Sequence, residues 1–166
     1  MCGGNGDQPT GRPVIITLTV QAKSLSEATE PPIIIIDDYC SIFDDTPGRP
    51  PYTGTREDFT SDVYIGNRVT WRGVTADPNG VDRGYSVAIQ SIVYEPKADD
   101  PNDVSFFPSP LAGQPGRTGD ATTLINNDAA LDGKHDIYTI NFLIYAPGNN
   151  TPFGPYPIDP KLRGHS

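Results

Sequence analysis

Apolar and polar residues alternate along this chain in short runs, and the period is two. Val14, Ile16, Leu18, Val20 and Ala22 fall on one side of the first run, and Thr17, Thr19 and Gln21 on the other. Successive side chains of an extended strand point to opposite faces, so β-branched residues in this rhythm predict a half-buried strand. The rhythm returns at residues 68–74, where Val69 and Trp71 oppose Arg68, Thr70 and Arg72. It is clearest at residues 137–145, where Tyr138, Ile140, Phe142 and Ile144 alternate with Thr139, Asn141 and Leu143. At residues 85–94, Tyr85, Val87, Ile89 and Val93 share a face and Ala88 and Ile92 take the other. Residues 33–36 are all Ile, which suits a strand covered on both sides. A last strand is expected around residues 156–162.

Between these runs the chain is punctuated. Residues 23–30 can form a helical turn, ended by Pro31 and Pro32. Residues 44–60 read as a long loop, and Asp77-Pro78-Asn79-Gly80 as a turn. Residues 111–134 are rich in Gly, Asp and Ala, with a short helix near 128–131. The sum is about six to eight short strands. None of the long connections carries an amphipathic helix, so parallel βαβ winding is disfavoured. The predicted fold is all-β: an antiparallel β-sandwich with long Pro/Gly-rich loops. Residues 1–13, polar and rich in Gly and Pro, are expected as a flexible N-terminal tail, and residues 14–166 as a single domain.

Composition sharpens this reading. Among 166 residues there are 18 Pro and 17 Gly, and the hydrophobic share is 36%, which indicates a loop-rich globular protein. The net charge of −9 repels phosphate backbones and anionic lipid, so neither nucleic acid nor a membrane surface is an expected partner. The apolar run at 33–36 is far too short to span a bilayer. Cys2 and Cys40 fit a bridge or a reduced pair equally well. Cys2-Gly3-Gly4-Asn5 also resembles the start of a trimmed bacterial lipoprotein, in which a lipidated Cys precedes a polar tether.

The oxygen-rich loops are the candidate chemistry. Asp77, Asn79 and Asp82 offer the hard oxygen ligands that calcium takes, and they form the candidate metal site. Asp-Pro-Asn-Gly is equally a turn on its own merits. Two further acidic groups are Asp99, Asp100 and Asp103, and Asp37, Asp38, Asp44 and Asp45. The two histidines, His135 and His165, lack the late Cys and Met that a copper site would need. No nucleophile elbow is present, and the Gly113–Gly119 stretch lacks the lysine of a phosphate loop. Trp71 is expected in the core, not as a stacking platform.

The order of strands and punctuation resembles the AidA/PixA inclusion-body protein family of bacteria. The resemblance rests on Gly66, Val69, Trp71, Asp77 and Pro78 in the centre and on Tyr156, Asp159 and Pro160 at the end, with alternating strands before and between. The chain departs from the family pattern in having one Trp, and its single Met is Met1, which does not support a methionine-rich storage role. The resemblance implies a β-sandwich without established enzymatic chemistry, often oligomeric or densely packed. The expected function is therefore a non-catalytic structural or interaction protein, a homo-oligomer or larger self-assembly, with residues 1–13 or 153–166 as an arm that packs on a neighbour. The alternative is a glycan- or calcium-binding module of a bacterial extracellular or surface protein. That module would use Tyr52, Tyr94, Phe106 and Phe107 with Asp99, Asp100 and Asp103. The two readings imply a cytoplasmic inclusion and the cell surface, respectively.

Overall fold

The computed structural model describes residues 11–28, 36–49, 52, 54–97 and 99–166. The strands are β1 (Val14–Val20), β2 (Cys40–Asp44), β3 (Thr60–Tyr64), β4 (Arg68–Thr75), β5 (Ser86–Tyr94), β6 (Leu111–Ala112), β7 (Ala121–Leu124), β8 (His135–Tyr145), β9 (Phe153–Ile158) and β10 (Lys161–His165). One short helix, α1 (Ala22–Glu27), follows β1. The first sheet runs β2-β1-β4-β7 and the second β3-β10-β8-β5-β6, with β9 also on β8. Residues 33–35 of the Ile run and Cys2 lie outside the described residues; Ile36 opens a 3-10 turn, Ile36–Tyr39.

The fold is all-β, and its two sheets face each other as a sandwich. Pairing is mixed: β1 runs parallel to β4, and β3 parallel to β10. A purely antiparallel arrangement was expected because no helix pattern supported a crossover. The crossovers instead pass through the other sheet, which needs no helix.

The alternation read from sequence is the alternation of burial. In β1, Val14, Ile16, Leu18 and Val20 are buried, and in β8 Tyr138, Ile140, Phe142 and Ile144 are fully buried. From the first sheet Trp71 enters the same core, also fully buried. Burying a large apolar side chain contributes roughly 1.5–3 kcal/mol, so this shared core dominates the stability of the sandwich. Gly73 lets the sheets approach: a Cβ built there would lie 2.5 Å from Cγ1 of Val87 on β5.

In β5 the expected faces need correction. The register shifts between Ile89 and Ser91, which leaves Gln90 without a partner on β8. One extra residue reverses the alternation beyond it. Ile92 therefore joins Val87 and Ile89 in the core instead of facing away.

The last expected strand is interrupted. Ile158 lies opposite Ile140, and Lys161 opposite Ile137, in one unbroken register along β8. Asp159-Pro160 is the break, since proline has no N–H for the ladder. The Pro160 carbonyl still accepts from the Tyr138 N–H at 3.2 Å. Beyond it, β10 sits between β8 and β3. Residues 153–166 are thus built into the second sheet and are not a free arm.

Candidate functional site

The loop carrying the candidate calcium ligands is organised by its own carboxylates. Asp77 and Asn79 are exposed, and Asp82 is 1% exposed. Asp82 Oδ2 accepts from the Asp77 N–H at 3.0 Å, and its Oδ1 from the Lys23 N–H at 2.9 Å. Lys23 is in the first turn of α1, whose own N-cap, Gln21, makes no side-chain cap. Asp82 thus caps that helix from a distant loop, satisfying one of the N–H groups a helix start leaves open. Asp77 Oδ2 accepts from the Val81 N–H at 3.1 Å. A calcium ion at Asp77, Asn79 and Asp82 would compete with these donors for the same oxygens. Among the described residues, no three His, Cys, Asp or Glu side chains are arranged to hold a metal.

The other acidic residues divide into buried and open sets. Asp44 forms an ion pair with Arg49 at 2.5 Å and accepts from Ser61 Oγ at 2.8 Å. Asp103 accepts from the Lys97 N–H at 2.8 Å and the Ile137 N–H at 3.2 Å. Both carboxylates are buried and tie loops to strands. Phe106 and Phe107, expected as part of a glycan platform, lie in the core at 0% and 2% exposure. Tyr94 donates its hydroxyl to the Asp103 carbonyl at 3.0 Å, and Tyr52 packs edge-on against Phe59 at 5.2 Å. The structure does not assemble these four rings into one surface. Cys40 is buried and has no disulfide partner among the described residues; burial and the Asp37 charge push its thiol up to about 12.

Asp136, next to His135, is the most unusual titratable group. It is fully buried, and its Oδ2 accepts from the Phe106 N–H at 2.8 Å. Its Oδ1 has no partner among the described residues. Burial raises the carboxyl to about 8, with the Asp103 charge adding to the rise against the Phe106 N–H.

Open carboxylates gather on the outer face of the second sheet, in a groove of about 630 Å³. Glu57, Asp58, Glu95 and Asp159 line it with Lys97 and Lys161. At its floor, Thr139 Oγ1 lies 2.7 Å from Asp159 Oδ1 and 3.1 Å from Glu95 Oε1. One hydroxyl hydrogen serves one acceptor at a time, so the groove keeps acceptor capacity for a cationic or donor-rich partner. Beyond Lys97 and Lys161 the groove continues to His135, whose Nε2 lies 2.9 Å from Asp100 Oδ2. The Asn102 N–H, ahead of His135, holds the Asp100 carboxyl below its ordinary range. His165 and Arg163 both meet Asp62 Oδ1, at 2.8 and 2.9 Å. Partial burial raises the Asp62 carboxyl, but these two donors outweigh it and hold it low. Sequence reasoning missed the groove because its charges come from segments far apart in the chain.

No family model matches the chain, and no curated protein matches its sequence. Among solved structures, the inclusion body protein PixA from Burkholderia cenocepacia J2315 aligns with 95% of this chain and 98% of its own, with a TM-score of 0.62 and 10% identity. The chain has the fold of PixA. At that identity the likeness is one of architecture, and it covers both chains nearly end to end. A laccase from Botrytis aclada aligns with 92% of this chain but 29% of its own, at 14% identity and a TM-score of 0.33, too low to carry an argument. The residues that suggested PixA hold the frame. Gly66, with φ +76°, turns the chain into β4. Val69 and Trp71 enter the core, and Asp159-Pro160 interrupts the last strand. Among the described residues, no helix is long and apolar enough to cross a membrane.

Proposed function

We propose that this chain is a non-catalytic structural protein that assembles with copies of itself. The observation that carries the reading is the likeness in fold to an inclusion body protein across nearly all of both chains. A second observation supports it. The buried carboxylates of Asp44, Asp82 and Asp103 each accept hydrogen bonds that fix backbone or loops, so they serve architecture. On this reading the protein acts in a dense cytoplasmic body, and its acidic surface keeps the dispersed form soluble.

Expression of the full chain in a bacterial host, with isolation of any dense particles, tests the proposal. Particles of native protein should give a β-sheet circular dichroism spectrum and the blue-shifted emission of a buried Trp71. Protein that stays dispersed at high expression, or particles with the red-shifted emission of an exposed indole, would refute it.

A further inference from the structure

The outer face of the first sheet differs in charge from the rest of this acidic chain. Its rows follow from the register: Phe43, Thr17 and Arg72 lie side by side, as do Ile15, Thr70 and Thr122, and Arg68 lies beside Leu124. Thr70 and Thr122 meet across the strands with their hydroxyl oxygens 3.1 Å apart. Phe43 and Leu124 are 49% and 57% exposed, the two outer strands thus presenting large apolar side chains to solvent. Arg72 pairs with Asp120 at 3.2 Å and is still half exposed, and Arg68 is exposed. The face is rich in β-branched residues, and with Arg68 beside the Arg72–Asp120 pair it carries a net positive charge.

The opposite side of the sandwich carries the groove with Glu57, Asp58, Glu95 and Asp159. Trp71 of the first sheet and Tyr138 of the second point inward at each other, so the arginine face and the groove look away from each other. We infer that they are the two halves of one contact between copies, the arginine face of one molecule seating on the acidic groove of the next. This rests on the self-association proposed above and names its surface. Two complementary patches on opposite sides make a heterologous contact, which repeats and grows as an open stack instead of closing as a dimer. With a net charge of −9, copies repel in most orientations, and this pairing is one of opposite charge.

Sedimentation velocity on the full chain and two charge-reversed variants, R68E/R72E and E57K/D58K, tests the assignment. All four positions are exposed, and circular dichroism checks that each variant folds. Each variant alone should need about tenfold or more higher concentration to assemble than the parent chain, because its two patches then carry like charge. An equal mixture should assemble again, since each variant's face then meets an opposite groove on the other. A parent chain that assembles while both variants assemble equally well, or a mixture that stays dispersed, overturns the surface assignment and leaves self-association standing. A parent chain that sediments as a monomer throughout overturns both.

Discussion

Trp71 and Tyr138 come from different sheets and meet in the core, the indole N–H donating to the phenol oxygen at 3.0 Å with ring centroids 5.6 Å apart. Phe107 also packs against the indole, with ring centroids 5.5 Å apart. The contact satisfies two polar atoms that water cannot reach, and burial raises the Tyr138 phenol far above its ordinary range. Tyr138→Phe keeps the ring but strands the indole N–H, which costs about 1–3 kcal/mol. Trp71→Ala adds a cavity and costs about 3–5 kcal/mol. Urea unfolding measures both. An unchanged midpoint for Tyr138→Phe would mean that this bond does not help join the sheets.

Gly73 and Val87 set how closely the sheets approach, with no room for a Cβ at Gly73. Gly73→Ala should destabilise by about 1–3 kcal/mol through overpacking. In a double-mutant cycle, Val87→Ala should recover part of that loss, with a coupling of about 1 kcal/mol. Strict additivity would place the strain elsewhere.

Asp136 gives the fold a pH dependence of known sign. Its carboxyl is raised from an ordinary 3.8 to about 8, so the folded state holds a proton that the unfolded chain releases. The stabilisation is complete below about pH 4 and is lost as pH rises through about 8. Thermal melts from pH 5 to 9 should show a decline that flattens in Asp136→Asn, with the variant at least as stable as the parent at pH 9. Parallel pH profiles for the two proteins would show that the group does not titrate as described.

Asp82 joins the loop after β4 to the start of α1 through the Asp77 and Lys23 N–H groups. Asp82→Ala leaves both donors unpaired and should lower stability by about 1–3 kcal/mol, with or without calcium. Melting curves in calcium and in chelator decide between this use and a cation. A calcium-dependent rise in Tm that disappears in Asp82→Ala would assign Asp77, Asn79 and Asp82 to the ion.

The most legible parts of the sequence were strands with one buried face. β1, β4 and β8 announce themselves because every second residue is apolar, and Trp71 and Tyr138 fall in step with that period. β2 and β7 escape notice as short outer strands: Phe43 and Leu124 put apolar side chains on the solvent face, which blurs the rhythm. Gln90 shows why phase is harder to read than period, since one extra residue in the β5–β8 register moves Ile92 to the other face with no mark in composition. The order of strands was illegible, because parallel neighbours such as β1 and β4 are set by crossovers between sheets. The acidic groove was illegible for a related reason. Glu57, Glu95 and Asp159 meet only after β3, β5 and β10 have been laid beside or near β8. Asp82 gave no signal of its burial, because its partners are backbone N–H groups and one lies in a distant helix.

The central claim is that this sandwich works by joining to itself. Static light scattering of the intact chain across a wide concentration series tests it most directly. The weight-average mass should climb steadily above the 17.9 kDa of one chain as the concentration rises. A mass fixed at that of one chain at every concentration would contradict the account.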